Sequence, residues 1–286
     1  MRTLAYAKLN LTLDVLFRRA DGYHELDMLN VRVSLADTMA FTPANGITVT
    51  YEGIKTPPGD TVTKAVSIYS TLAGRELGAN IHVVKHIPAE AGLGGGSADA
   101  AEALLQLQLA YGALTDNQLH EAARMVGADV PYCLYKQPCR VGGIGEKIEL
   151  LAPLKKPLWF LLLKPQAGMS TPLLFSQLAL PAPHPDTGEA IRALYSGDMR
   201  ALGGAFYNAL QPAAVSLLPE IGELCRRLQL AGAYGVAMTG SGSAVFALFE
   251  DESGAKSAAS LFSDIPFRCV CSAITESAGS GRSNRI

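Results

Sequence analysis

The 286-residue sequence predicts an α+β protein, on three observations. Its first fifty residues alternate apolar and polar side chains at the two-residue period of a strand. Capped segments with helical spacing follow. The second half then mixes strands and helices without the regular strand–helix repeat of a parallel sheet. With 49% hydrophobic and 17% charged residues, the chain can bury a large core, as one large domain or two ordinary ones.

The first element is the alternation itself. Ala5, Ala7, Leu9, Leu11, Leu13 and Val15 would share one face of a strand, and Tyr6, Lys8, Asn10, Thr12 and Asp14 the other. Such a polar face is usually a solvated sheet face. "ADGYHEL" (20–26) reads as a polar turn, and "LNVRVSL" (29–35) and "GITVTYEG" (46–53) as further strands of a mainly antiparallel sheet. "DTVTKAVSIYSTLAG" (60–74) places Val62, Ala65, Val66, Tyr69 and Leu72 on one helical stripe, with Asp60 as its cap. "NIHVVKHIP" (80–88) is a strand leading straight into "GLGGGSADAAEALL" (92–105). "TDNQLHEAARMVG" (115–127) begins with a Thr-x-x-Gln capping box, ends in glycine, and is followed by "GADVP" (127–131).

In the second half "PLWFLLLKP" (157–165), "AYGVAM" (233–238), "AVFALF" (244–249) and "FRCVCSAI" (267–274) read as strands. "PEIGELCRRLQLAG" (219–232) and "DESGAKSAASLFSD" (251–264) read as helices. "LPAPHPDTG" (180–188) is expected to be a surface loop and 277–286 a frayed tail.

Bulk properties narrow the function. A net charge of −2 supplies no basic field for a nucleic-acid polymer or an anionic membrane. The apolar run "LWFLLL" is far too short to span a bilayer. "MRTLAYAKLN" enters a strand without a signal-peptide or transit-peptide pattern, so a cytoplasmic location is expected. Five cysteines without CxxC spacing suggest reduced thiols, and five unclustered histidines give no support for zinc.

Four glycines in five positions before a helix need a reason, because ordering glycine is entropically costly. A strand, a glycine-rich turn and a helix N-terminus together build an anion site. The dinucleotide fingerprint is excluded because residue 97 is serine, and the Walker loop because no lysine follows the glycines. On pattern alone two readings stay open: a phosphate site, or a plain turn with Ser97 as N-cap and Asp99 complementing the helix dipole. Asp129 likewise either caps a short helix carrying Pro131 or supplies a fixed carboxylate that accepts a proton. The loop in "TGSGSAVFAL" (239–248) is on its own an ordinary hairpin turn.

Taken in order, "AYAKLNLTLDV", "IPAEAGLGGGSADAA" and "MTGSGSAVFAL" resemble the three motifs of the GHMP kinase superfamily. "RRADGYHELDML" (18–29) and "GADVP" resemble the branch that phosphorylates a cytidine-diphosphate conjugate of methylerythritol, on a route to isoprenoid precursors. The likeness runs from residue 3 to about 274. It implies an N-terminal domain with a left-handed βαβ crossover (1–153), a ferredoxin-like C-terminal domain (154–276) and an active cleft between them. It implies ATP as phosphoryl donor, held by Pro88, Gly92, Leu93, Gly94, Gly95, Gly96 and Ser97, with Lys85 near the adenine side. Magnesium is expected on the phosphates, with no ligand assigned. Asp129 would take the proton of the attacking hydroxyl, Lys8 would stand beside it, and Asn10 would help position the substrate. Tyr23, His24, Thr171 and Phe175 would form the cytidine site. Thr61, Ala209 and Gln211 depart from the pattern, as does "LYKQPCRVGG" (134–143). A homoserine- or mevalonate-type kinase and a non-catalytic binding protein of the same fold are the competing readings. The implied partner is a small molecule, and nothing chooses between monomer and homodimer.

Overall fold

The computed structural model describes residues 1–55, 59–178 and 185–275. The expected tail and most of the expected loop at 180–188 lie outside the described residues, and the loop's described end is helical instead: Asp186 caps a helix that opens with buried Thr187.

The first half contains β1 (Arg2–Arg18), β2 (His24–Ala44), β3 (Ile47–Glu52), α1 (Thr61–Leu72), β4 (Gly78–Val84), α2 (Gly95–Tyr111), α3 (Asp116–Val126), α4 (Val130–Cys133), β5 (Cys139–Gly143) and β6 (Lys147–Leu150). The second contains β7 (Trp159–Lys164), α5 (Thr171–Ser176), α6 (Thr187–Ser196), α7 (Met199–Gly204), β8 (Tyr207–Asn208), α8 (Gln211–Leu217), α9 (Glu220–Leu230), β9 (Gly235–Met238), β10 (Val245–Phe249), α10 (Glu252–Ala259) and β11 (Phe267–Ser272).

Two sheets result. The first has the order β3-β4-β2-β1-β8, with β5 paired to the near end of β2 and β6 paired to β5. It is antiparallel except for β3 with β4, joined through α1 as a βαβ crossover, and β1 with β8. The second sheet, β11-β7-β10-β9, is antiparallel throughout. Its βαββαβ chain order and its spatial order of fourth, first, third and second strand are ferredoxin-like. The chain is therefore α+β, with two sheets as expected. The halves are also stitched together: β8 of the second half pairs with Thr12 and Leu13, and Ala273 bridges to Val33.

The first strand corrects the simple alternation. Ala5, Leu13 and Val15 join one hydrophobic core with α1 and α2, whereas Ala7, Leu9 and Leu11 join the other. Register irregularities between Tyr6 and Lys8 and between Asn10 and Thr12 fall at those changeovers, as expected of bulges that re-aim side chains. The second core lies between the sheets, where Leu9 and Val31 meet Phe160, Leu162, Phe246 and Leu248. Strand β1 is thus covered on both faces. Its polar set is not a solvated face: Lys8, Asn10, Thr12 and Asp14 are all buried. Leu161 and Leu163 face the first core while Phe160 and Leu162 face the second, which explains the unbroken apolar run of β7.

Caps mostly follow the sequence. Asp60 accepts from Val62 and Thr63 at the start of α1, and Thr115 with Gln118 forms the capping box of α3. The cap of α2 differs: it is Gly94 in the left-handed region, φ 68°, with no side-chain bond, and Ser97 lies inside the first turn. His24 to Leu26 belong to β2 rather than to the turn, which is closed by Arg19, Gly22 and Tyr23. All five cysteines are free thiols. Among the described residues no helix is long and apolar enough to cross a membrane.

Candidate active site

The glycine segment is anchored before it reaches the helix. Leu93 is buried and its carbonyl accepts from the Lys8 amide at 3.0 Å, tying the loop to β1. Gly94 then turns left-handed, and a Cβ there would stand 3.0 Å from Lys8 Cγ. Gly95, Gly96 and Ser97 follow as the opening residues of α2, where amides lack an i−4 carbonyl within the helix. Thr61 Oγ1 donates to the Gly96 carbonyl at 2.9 Å, so the residue that departs from the superfamily pattern joins α1 to the loop. Pro88 and Gly92 lie on the approach to that turn, on the stretch leading from β4. Aligned amides and a positive helix end make this a place for an anion.

Lys8 and Asp129 meet beside it. Lys8 Nζ lies 3.8 Å from Asp129 Oδ2; the lysine is 4% exposed and the aspartate 40%. Asp129 sits at the N-cap of α4, yet its side chain makes no capping bond there. The bland role open in the sequence is therefore unused, and the part-exposed carboxylate has a buried cation beside it. Asn10 is fully buried: its Oδ1 accepts from Lys8 Nζ at 2.5 Å, and its Nδ2 donates to Asn30 Oδ1 at 2.8 Å. That places it behind the lysine, orienting the ammonium.

The second half closes the back of the site with the loop between β9 and β10. Thr239 Oγ1 accepts from the Asn10 amide at 3.1 Å, and the amides of Ser243 and Ala244 donate to Glu90 and Ala91. Asn208, on β8, holds this loop by donating to the carbonyls of Met238 (2.7 Å) and Gly240 (2.8 Å). Gln211 Oε1 accepts from the Met238 amide at 2.7 Å, and buried Ala209 donates its amide to Leu13. These two departures from the pattern are structural contacts, Gln211 with the end of β9 and Ala209 with β1. Sequence reasoning missed Asn208 and Thr239 because their partners lie far away along the chain.

Lys85 is committed below the helix start. It pairs with Asp37 and, at 2.6 Å, with Asp99. Asp37 Oδ1 also accepts the amides of His86 (2.5 Å) and Ile87 (2.8 Å). Asp99 is thus an ion-pair partner of Lys85 rather than a dipole complement. One lysine cannot neutralise two dry carboxylates. Asp37 has the additional amide donors, so Asp99 is the odd member: burial pushes its carboxyl up to about 7, Lys85 lowers it and Asp37 raises it. The sign follows. Above the unfolded carboxylate range and below about 7, the folded chain holds a proton the unfolded chain has released, so this group's contribution to stability declines as pH rises from about 4 to 7. Denaturation midpoints from pH 5 to 8 should therefore fall in wild type relative to Asp99→Asn. A difference that stays flat across that window would show that Asp99 is ionised throughout.

The remaining candidates gather at the hairpin end. His24 and Phe175 bring their rings to 5.0 Å with a 31° tilt, joining β2 to α5 across the two halves. Burial and the nearby Arg18 charge hold the His24 imidazole below its usual value, favouring the neutral ring. Tyr23 is 61% exposed, leaving a ring face open. Thr171 Oγ1 shares a 2.6 Å hydrogen bond with Ser241, on the β9–β10 loop. Among the described residues no group of three or more His, Cys, Asp or Glu side chains could hold a metal ion.

This fold and site define a class. Residues 60–137 match the family described as GHMP kinases N terminal domain, and residues 190–263 match GHMP kinases C terminal. The chain is a small-molecule kinase of the GHMP type. It is 39% identical over 267 residues to a 4-diphosphocytidyl-2-C-methyl-D-erythritol kinase of Pelotomaculum thermopropionicum, covering 91% of this chain and 92% of the relative. It is 40% identical over 262 residues to the enzyme of that name from Carboxydothermus hydrogenoformans, covering 90% and 91%. A crystal structure of a 4-(cytidine 5'-diphospho)-2C-methyl-D-erythritol kinase superposes with a TM-score of 0.83 at 36% identity, covering 96% of this chain and 99% of that one. The chain belongs to the 4-diphosphocytidyl-2-C-methyl-D-erythritol kinase family.

Proposed function

We propose that this protein transfers the γ-phosphoryl group of ATP to the C2 hydroxyl of 4-diphosphocytidyl-2-C-methyl-D-erythritol, giving the 2-phosphate and ADP. The setting is the cytoplasmic methylerythritol phosphate route to isoprenoid precursors. The observation that carries the reading is the Lys8–Asp129 pair beside the amide-rich start of α2.

The geometry supports the following roles, and the family resemblance supplies those of the cytidine site. The amides of Gly95, Gly96 and Ser97 receive the ATP phosphates, and glycine at Gly94 lets the chain turn close to them. Asp129 accepts the proton of the attacking hydroxyl. Lys8, held by Asn10, supplies positive charge where negative charge develops on the transferring group. Lys85, paired with two carboxylates, supports the turn from below. Tyr23, His24, Thr171 and Phe175 receive the cytidine. Magnesium is the expected companion of the phosphates. Magnesium usually keeps several waters and binds through substrate phosphates.

A coupled ADP-release assay tests the substrate. The cytidine compound should turn over, and homoserine and mevalonate should not. Turnover of either alternative at a similar kcat/KM overturns the substrate, and ATP binding without any turnover would make the protein a binder. In the same assay Tyr23→Ala should raise KM for the cytidine compound by roughly 5- to 150-fold, the equivalent of about 1–3 kcal/mol of base stacking. Tyr23→Phe should be mild, His24→Ala should also weaken that site, and ATP affinity should hardly change. An unchanged KM for Tyr23→Ala would remove the ring from the pocket.

A further inference from the structure

We infer that Arg32 is a positioning residue for the Lys8–Asp129 pair, a guanidinium clamp that fixes the strand carrying the lysine against the helix headed by the aspartate. The inference rests on the catalytic reading of that pair.

Arg32 stands on β2 directly across the ladder from Lys8 and is 4% exposed. Its fork reaches four backbone carbonyls in two groups. On one side Nε donates to Ala7 at 3.3 Å and Nη2 donates to Tyr6, the two residues that precede Lys8. On the other side Nη1 donates to Cys133 at 2.8 Å and to Tyr135 at 3.3 Å, at the far end of α4. The guanidinium also lies 5.8 Å from the centre of the buried Tyr132 ring, on α4 itself.

Each group is one short covalent or hydrogen-bonded step from a reacting side chain. Ala7 is bonded to Lys8. The Cys133 amide donates to the Asp129 carbonyl at 3.3 Å, so the residue whose carbonyl Arg32 holds also holds the backbone of Asp129. Helix α4 is four residues long, too short to persist by its own hydrogen bonds. The β1 ladder is irregular between Tyr6 and Lys8, where the two carbonyls that Arg32 holds lie, and regular pairing resumes at Lys8 itself. The aspartate therefore heads a helix too short to persist alone, the lysine follows a strand irregularity, and one side chain spans the two.

The chemistry suits this task better than it suits a structural ion pair. Among the described residues no ion pair to the guanidinium is formed; buried Glu102 feels its charge without pairing with it. Burying a cation without a counter-charge is unfavourable unless its donors are used. Here carbonyl dipoles at a helix C-terminus and a strand irregularity receive them, which is favourable for a cation. Lysine could not replace it, because a single ammonium lacks the planar fork that reaches in two directions.

Steady-state kinetics of Arg32→Lys and Arg32→Gln test the clamp, alone and combined with Asp129→Asn. The expected result is a kcat lowered roughly 10- to 100-fold, the scale of a misplaced reacting group, with KM for both substrates within about threefold of wild type. In the Asp129→Asn background the Arg32 substitutions should cost little more, because the geometry they spoil is no longer used. A kcat near wild type overturns the inference. So does a fully multiplicative loss in the double variant, or a parallel rise in both KM values. If neither variant is folded at the assay temperature, as read by thermal melt, the role is general stability and the inference fails. If Asp129→Asn itself keeps its turnover, the catalytic reading has failed instead, and the two failures are told apart.

Discussion

Asp129→Asn should lower turnover by roughly 10²–10⁴ while the thermal melt stays close to wild type. The substitution keeps the shape of the side chain and removes its ability to take a proton. If capping were the role, asparagine would serve nearly as well. In the structure no capping bond exists at this residue, so the helix loses nothing when the carboxylate goes. What is lost is the acceptor 3.8 Å from Lys8, exposed enough to meet a hydroxyl while its cation is buried behind it. Binding of ATP and of the cytidine compound should persist, since neither leans on this proton acceptor. Single-turnover phosphoryl transfer with both ligands saturating makes the measurement directly. Near-wild-type turnover would end the assignment of Asp129 as a catalytic residue.

Gly92→Ala should destabilise the protein by about 2–5 kcal/mol, the sum of a left-handed residue and an overpacked contact. Gly92 has φ 71°, and a Cβ there would press into the Thr239 carbonyl and lie 2.9 Å from the Gly242 amide nitrogen. Gly240 answers from the other side, where a Cβ would stand 2.7 Å from the Gly92 carbonyl and 3.2 Å from Lys8 Nζ. The two loops interlock backbone to backbone. A methyl group must therefore displace the second-half loop, the phosphate turn, or both. Melting should fall by roughly 5–15 °C, and kcat/KM for ATP should drop with it. Gly112→Ala is the control. It is also left-handed, at φ 55°, but a Cβ would meet nothing within 4 Å, so only the backbone cost applies. If Gly92→Ala costs no more than Gly112→Ala, the interlock does not carry the contact.

Several features were legible along the chain because their causes are local. The capping box of α3, the Asp60 cap of α1 and the long strands and helices of the second half depend on neighbouring residues and simple periods. The helices α5, α7 and α8 and the β5–β6 hairpin were missed, since four to seven residues give too few repeats to show a period, and the ten-residue α6 was missed as well, directly after a Pro-rich stretch read as a loop. The glycine-rich start of α2 was visible, but its cap was not: Ser97 has the better capping side chain, yet Gly94 ends the turn because the Lys8 strand runs against it.

By itself the sequence determined the α+β class and the glycine-rich helix entry, and its motif order singled out Lys8, Asn10 and Asp129, since these follow from composition, short periods and the order of motifs. Tertiary structure alone decided what those polar residues do. It buried Lys8 and Asn10 by covering both faces of β1, brought Asp129 to the lysine across more than a hundred residues, and committed Lys85 to two carboxylates. The same holds for Arg32, which looks in the sequence like one more charge on an alternating strand. Its four carbonyl partners exist only where β1, β2 and α4 converge, and no local period encodes a meeting between segments that distant.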